Sequence, residues 1–107
     1  MPENSISIIY MTAASSDEAR NIAETLVDSG IVACANIIGP MVSVYKWQGE
    51  MQTAGEYAVI MKTATANVKK ATGKIMEMHS YDCPCVVSWP VSEGNPEFLK
   101  WVSESSL

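Results

Sequence analysis

The sequence predicts an α+β fold, a ferredoxin-like β-α-β-β-α-β sandwich with one extra helix at the C-terminus. Three observations point there. Two stretches with apolar residues at helical spacing, 19–27 and 68–79, each lie between β-rich segments. Between these helices, two β-rich runs are separated by glycines in the manner of a hairpin. Two right-handed β-α-β crossovers interleaved around a hairpin give the split arrangement of that fold.

Residues 5–11 are short, β-rich and apolar, with Ile6, Ile8, Ile9 and Tyr10, and read as a central first strand. Ser15 with Glu18 three residues on forms a capping box, and Asp17 adds charge favourable to the helix N-terminus. Ala19, Ile22, Ala23, Leu26 and Val27 form the apolar stripe of helix one, and Gly30 offers a left-handed stop. A second strand over 31–38 resumes over 41–47 after Gly39-Pro40; Pro40 donates no ladder bond, so a bend or bulge is expected there. Residues 48–55, with two glycines, read as the hairpin turn, and 57–63 as the returning strand.

Val68, Ala71, Thr72, Ile75, Met76 and His79 recur at helical spacing, with Asn67 or Thr65 as cap. Gly73 inside this helix costs about 1 kcal/mol against Ala. Residues 86–91 form the fourth strand. Asn95-Pro96 opens a last helix, with Phe98, Leu99 and Val102 as its apolar face and Trp101 beside them.

The 107 residues suit one domain, spanning 1–107. Apolar residues make up 48% and charged ones 18%, which excludes a disordered chain. Seven Met and three Trp are more soft and bulky surface than so short a chain readily hides, which suggests self-association. The split sheet also leaves edge strands that a partner can pair. A net charge of −5 argues against nucleic acid, although four of the seven basic residues cluster between Lys62 and Lys74. No secretory signal and no apolar run near membrane-spanning length is visible, so neither export nor a membrane is expected. Three cysteines, an odd number without scaffold spacing, fit a reducing cytoplasm.

Chemistry concentrates in "IMEMHSYDCPCVV", residues 75–87. His79, the one histidine, reads either as a helix-terminal residue or as a copper or zinc ligand. Cys83 and Cys85 would sit about 6.6 Å apart in extended chain. That is the wide end of disulfide geometry, so no bridge is expected. They read as small buried residues or as two thiolates for a soft cation. Cys34, in a β-rich run, reads as core. Tyr45, Trp47, Tyr57 and Trp89 read as core, interface or pocket wall. Lys62 would pair with Glu56 or with a carboxylate of another subunit.

Several of these segments resemble the CutA family, the divalent-cation-tolerance proteins. The likeness rests on "ACANIIGPMVSVYKWQGE", on Ser43, Tyr45, Trp47 and Gly49 within it, on "EYAVIMKT", on the His79-Ser80-Tyr81 junction and on the closing Phe98 and Trp101. It implies a cytoplasmic homotrimer with long bent hairpin strands, bound to divalent cations and linked to copper tolerance, sharing its architecture with PII-type signalling proteins. The family usually reads His-Pro-Tyr and then Pro-Glu, where this chain has His79-Ser80-Tyr81 and Pro84-Cys85. Positions that carry Cys and His in some members are Met11 and Met78 here. The expected metal residues are therefore His79, Met78, Met11 and Cys83, with copper or another divalent cation as the ion. Tyr45, Trp47, Glu56, Lys62 and Tyr81 are the cleft or interface candidates.

The expected function is copper binding in metal tolerance or homeostasis. The alternative is a PII-like module that binds a small anionic ligand at a subunit cleft through Lys62, Lys69 or Lys70. A thiol enzyme would need a base beside an activated cysteine, and no catalytic activity is expected.

Overall fold

A computed structural model describes residues 5–107; residues 1–4 of the expected 1–107 unit lie outside the described residues. The elements follow the predicted order: β1 (Ile6–Ala13), α1 (Ser16–Asp28), β2 (Cys34–Trp47), β3 (Glu50–Ala64), a 3₁₀ turn (Thr65–Asn67), α2 (Val68–Met78), β4 (Val86–Pro90) and α3 (Pro96–Ser105). The strands form one antiparallel sheet in the order β2-β3-β1-β4, which is the ferredoxin-like topology with β1 inside it.

Short-range signals set the helix starts. Ser15 Oγ accepts from Glu18 N–H at 3.1 Å, and Asn95 Oδ1 accepts from Glu97 N–H at 3.1 Å with Pro96 behind it. Gly30 ends the α1 segment at φ +78°. At α2 neither expected cap acts: Asn67 makes no capping bond and instead donates from Nδ2 to Ile31 O at 3.2 Å, while Thr65 Oγ1 pairs with Ser7 Oγ. The 3₁₀ turn leads into the helix in their place.

One face of the sheet carries the helices. Ile9, Met11, Val59 and Met61 alternate along β1 and β3 and meet Ala19, Ile22, Leu26, Ala71 and Ile75 in a single buried cluster. On the other face Ile8, Tyr10 and Ile60 are half-buried, and Ile38, Val87 and Trp89 are exposed. At its end near Ile6 this face is covered by α3, whose Val102 is buried with Ile6, while the part around Ile38, Val87 and Trp89 stays exposed.

The hairpin is longer and its turn tighter than the sequence suggests. Gln48 and Gly49 have φ of +50° and +81°, a two-residue turn of the kind that matches strand twist, and Glu50 already pairs with Trp47. Residues 41–47 and 50–56 pair only with each other, because β1 reaches no further along β3 than Tyr57. They form a two-stranded arm, with Val42, Val44, Trp47 and Met51 all more than 60% exposed.

The expected bulge is present. Ile38 pairs with Ala58 and Met41 with Glu56, so Gly39 and Pro40 together face Tyr57. The extra residue places Ser43, Tyr45 and Trp47 on the same open face as Asn36 and Ile38. A Cβ on Gly39 would lie 2.4 Å from Tyr57 Cδ2, so only glycine fits.

On α3, Val102 is fully buried and Leu99 packs beside it. Phe98 is not part of that apolar face: it is 42% exposed and packs on Trp101, ring centroids 5.7 Å apart.

Candidate functional site

A cleft of about 570 Å³ opens where the arm meets the loop between α2 and β4. The arm supplies Ser43, Tyr45, Trp47 and Glu56, β1 supplies Tyr10 and Thr12, and the loop supplies Tyr81, Cys83 and Cys85. All the strand residues in this group lie on the open face, and the bulge is what brings the arm's share onto it. A second hollow of about 470 Å³ lies between α1 and β2, beside the exposed Arg20–Glu24 pair, and gathers no thiol, imidazole or phenol.

The loop is anchored from α1. Glu18 Oε2 accepts from Ser80 N–H at 2.7 Å and Glu18 Oε1 from Ser80 Oγ–H at 3.0 Å. Burial pushes the Glu18 carboxyl up, but the Ser80 bonds, the neighbouring His79 and the Ala14 N–H outweigh it and hold it below the usual glutamate value. His79 completes the anchor. Its Nε2–H donates to Thr12 O at 2.7 Å and its Nδ1 accepts from Tyr81 N–H at 3.1 Å. The side chain is fully buried, its ring 4.7 Å from that of Tyr81.

From this anchor Tyr81 reaches across the cleft and donates from Oη to Glu56 Oε2 at 2.8 Å. Burial, then the Glu56 bond and charge, then Glu18 and Tyr45, push the phenol up to about 12. Burial, followed by Glu56, also raises the Cys85 thiol. None of the three cysteines is in a disulfide.

The structure brings together Tyr45, Trp47, Glu56, Tyr81 and Cys83 from the sequence expectation. It does not bring Lys62. That residue lies six positions beyond Glu56 on β3, about 20 Å by strand rise, and its Nζ donates to Asn36 Oδ1. The expected metal quartet is also divided. Met11 is buried on the helix face and Met78 packs against the same core, whereas Cys83 opens onto the opposite face. Both His79 nitrogens are engaged by backbone groups, which leaves no lone pair free for an ion. Among the described residues no group of three or more His, Cys, Asp or Glu is arranged to hold a metal.

Cys83 and Cys85 are exposed and not buried, because the loop crosses the open face instead of entering the core. Cys34 is half-buried on that same face, opposite Lys62. Its thiol is pushed up by burial, partly offset by the lysine. Sequence reasoning passed over Tyr10 and Thr12 as cleft walls, although their alternation with buried Ile9 and Met11 was a usable signal. It also took Glu18 only as a capping residue.

Comparison with known proteins agrees with this fold. Residues 7–105 match the family described as CutA1 divalent ion tolerance protein. Over 97 residues the chain is 38% identical to the divalent-cation tolerance protein CutA of Archaeoglobus fulgidus, covering 91% of this chain and 94% of the relative. The solved structure of the periplasmic divalent cation tolerance protein CutA from that organism superposes with a TM-score of 0.90 at 37% identity, over 94% of this chain and 97% of the other. The divalent cation tolerance protein of Thermus thermophilus gives 0.91 at 35% identity, over 94% and 98%. These names describe tolerance of cations and not a reaction.

Proposed function

The chain belongs to the CutA1 divalent ion tolerance family, and on that footing we propose that it binds divalent cations, copper foremost, in metal-ion tolerance or homeostasis. The ion enters the cleft at Cys83 beside Glu56. The observation that carries this reading is the convergence of thiol and carboxylate in one open cleft that, among the described residues, no lysine or arginine lines. Copper stands at the top of the divalent affinity series, so a sparse site favours it. His79, with Met78 and Met11 in the layer behind, supports the cleft by holding the loop to β1.

The working form is a cytoplasmic homotrimer. An isolated two-stranded hairpin is marginal in water, and both the arm and the open sheet face carry exposed apolar residues. Neighbouring copies covering them would stabilise both and deepen the cleft. Three cysteines free of disulfides suit a reducing compartment. Among the described residues no helix is long and apolar enough to cross a membrane. The PII-like alternative is less well supported, because Lys62, Lys69 and Lys70 all lie outside the cleft and an anion would meet Glu56.

Calorimetric titration with Zn²⁺ and Cu²⁺ tests the site. Glu56→Gln should weaken divalent binding by about 10-fold or more, and unchanged affinity would reject the assignment. Light scattering that gives one chain's mass at micromolar concentration would reject the assembly.

A further inference from the structure

Cys83 and Cys85 line the same cleft, with Pro84 alone between them. Cys83 lies in a bend and Cys85 in the irregular stretch just before β4, with Pro84 fixing its own φ between them. Both residues are exposed and neither forms a disulfide, so both sulfurs are available. Around them is no third or fourth ligand of the kind that closes a divalent site, since no group of three or more His, Cys, Asp or Glu is arranged for a metal among the described residues. Two soft donors without further ligands suit a soft ion of low coordination number, and thiolates select copper in its monovalent state.

We propose that Cys83 and Cys85 form a two-thiolate seat for a soft monovalent d10 cation, Cu⁺ being the physiological class, which shares Cys83 with the divalent site but does not depend on Glu56. This deepens the functional reading above and rests on its claim that the cleft takes metal ions. In binding, two S–H bonds break, two S–Cu bonds form and two protons leave to solvent. The ion keeps its oxidation state and the bis-thiolate complex carries one negative charge. Glu56 sits near Cys85, so its carboxylate opposes this anionic complex while it attracts a divalent ion. Replacing Glu56 therefore affects the two ion classes with opposite sign.

The test is an anaerobic titration of the reduced full-length protein with Cu⁺ in competition with the chelator bicinchoninate. About one Cu⁺ per chain is withheld from the chelator. Cys83→Ser and Cys85→Ser each weaken uptake by at least about 100-fold, the upper end of what even outer partners of a metal cost. Cys34→Ser leaves uptake unchanged, and Glu56→Gln leaves it equal or tighter. A second measurement needs no variant: Ag⁺, a redox-inert d10 ion, protects Cys83 and Cys85 from iodoacetamide and leaves Cys34 unprotected, read by peptide mass spectrometry. Uptake that survives in either serine variant at position 83 or 85, or alkylation of both cysteines undiminished by Ag⁺, overturns the proposal. Zn²⁺ binding that persists alongside such a result removes this inference alone. Cu⁺ uptake that persists where Zn²⁺ binding is absent removes the divalent reading alone.

Discussion

Tyr81 Oη donates to Glu56 Oε2 at 2.8 Å, tying the loop that presents Cys83 and Cys85 to the strand that runs out into the arm. The bond spans 25 residues of sequence and closes the cleft on one side. Tyr81→Phe should cost about 1–2 kcal/mol, as for a bond to a charged acceptor in a half-buried setting. The raised phenol also fixes a sign. Its folded value of about 12 lies above the unfolded value of about 10, so its contribution is full below pH 10 and is lost as pH rises through 12. Chemical denaturation across that range should decline more steeply for the wild type than for Tyr81→Phe.

Glu18 acts in the opposite direction on the pH scale. Its carboxyl is held below the ordinary glutamate value, so the stability it supplies is present above that value and is lost as pH falls through the folded one. Glu18→Gln should cost about 1.5–3 kcal/mol at neutral pH. The gap from wild type should narrow in acid, measured by urea midpoints between neutrality and low pH.

His79→Ala removes partners from a buried backbone group, Thr12 O, and a half-buried one, Tyr81 N–H. A loss of about 2–4 kcal/mol is expected. Calorimetry on the folded variant should show a smaller effect on Zn²⁺ affinity than Glu56→Gln produces. The reverse order would place the imidazole on the ion itself.

Gly39→Ala would press a methyl group into the Tyr57 ring, where the nearest carbon is 2.4 Å away. Overpacking of this kind costs about 1–3 kcal/mol. Tyr57→Ala in the same chain should recover part of the loss, so the two changes will not add. Thermal melts of the two single variants and the double variant would show this.

Trp89→Asp places a charge on the uncovered part of the open sheet face, at a side chain 46% exposed in the single chain. If the proposed trimer meets through this face, the variant should fold yet scatter light as one chain while the wild type scatters as three. A retained trimer would mean that subunits meet elsewhere.

The starts of α1 and α3 were legible because Ser15 and Asn95 bond to amides two or three residues away. The hairpin turn was not. Gly49 and Gly55 look alike as turn signals, but only Gly49, beside Gln48, takes a positive φ, and Gly55 lies within a strand. Tyr45, Trp47, Glu56, Tyr81 and Cys83 were visible as motif residues, and their meeting in one cleft depends on strand register. Lys62 does not reach Glu56 within the chain because residues on one strand face can share a side of the sheet and still lie far apart. The bonding of His79 to Thr12 spans 67 positions, beyond any local pattern. Phe98 was assigned inward because helical spacing gives a stripe but not the neighbour that stripe will meet.

The extra residue at Gly39-Pro40 makes the sidedness of the arm a question of parity. Deleting one residue there would leave a hairpin of nearly the same length but turn its aromatic side chains toward the helices' side. The loop cysteines would then stand alone. Deleting or adding two residues would preserve the orientation and merely shift the arm along its axis. Length changes near this point should therefore be tolerated in even steps and rejected in odd ones.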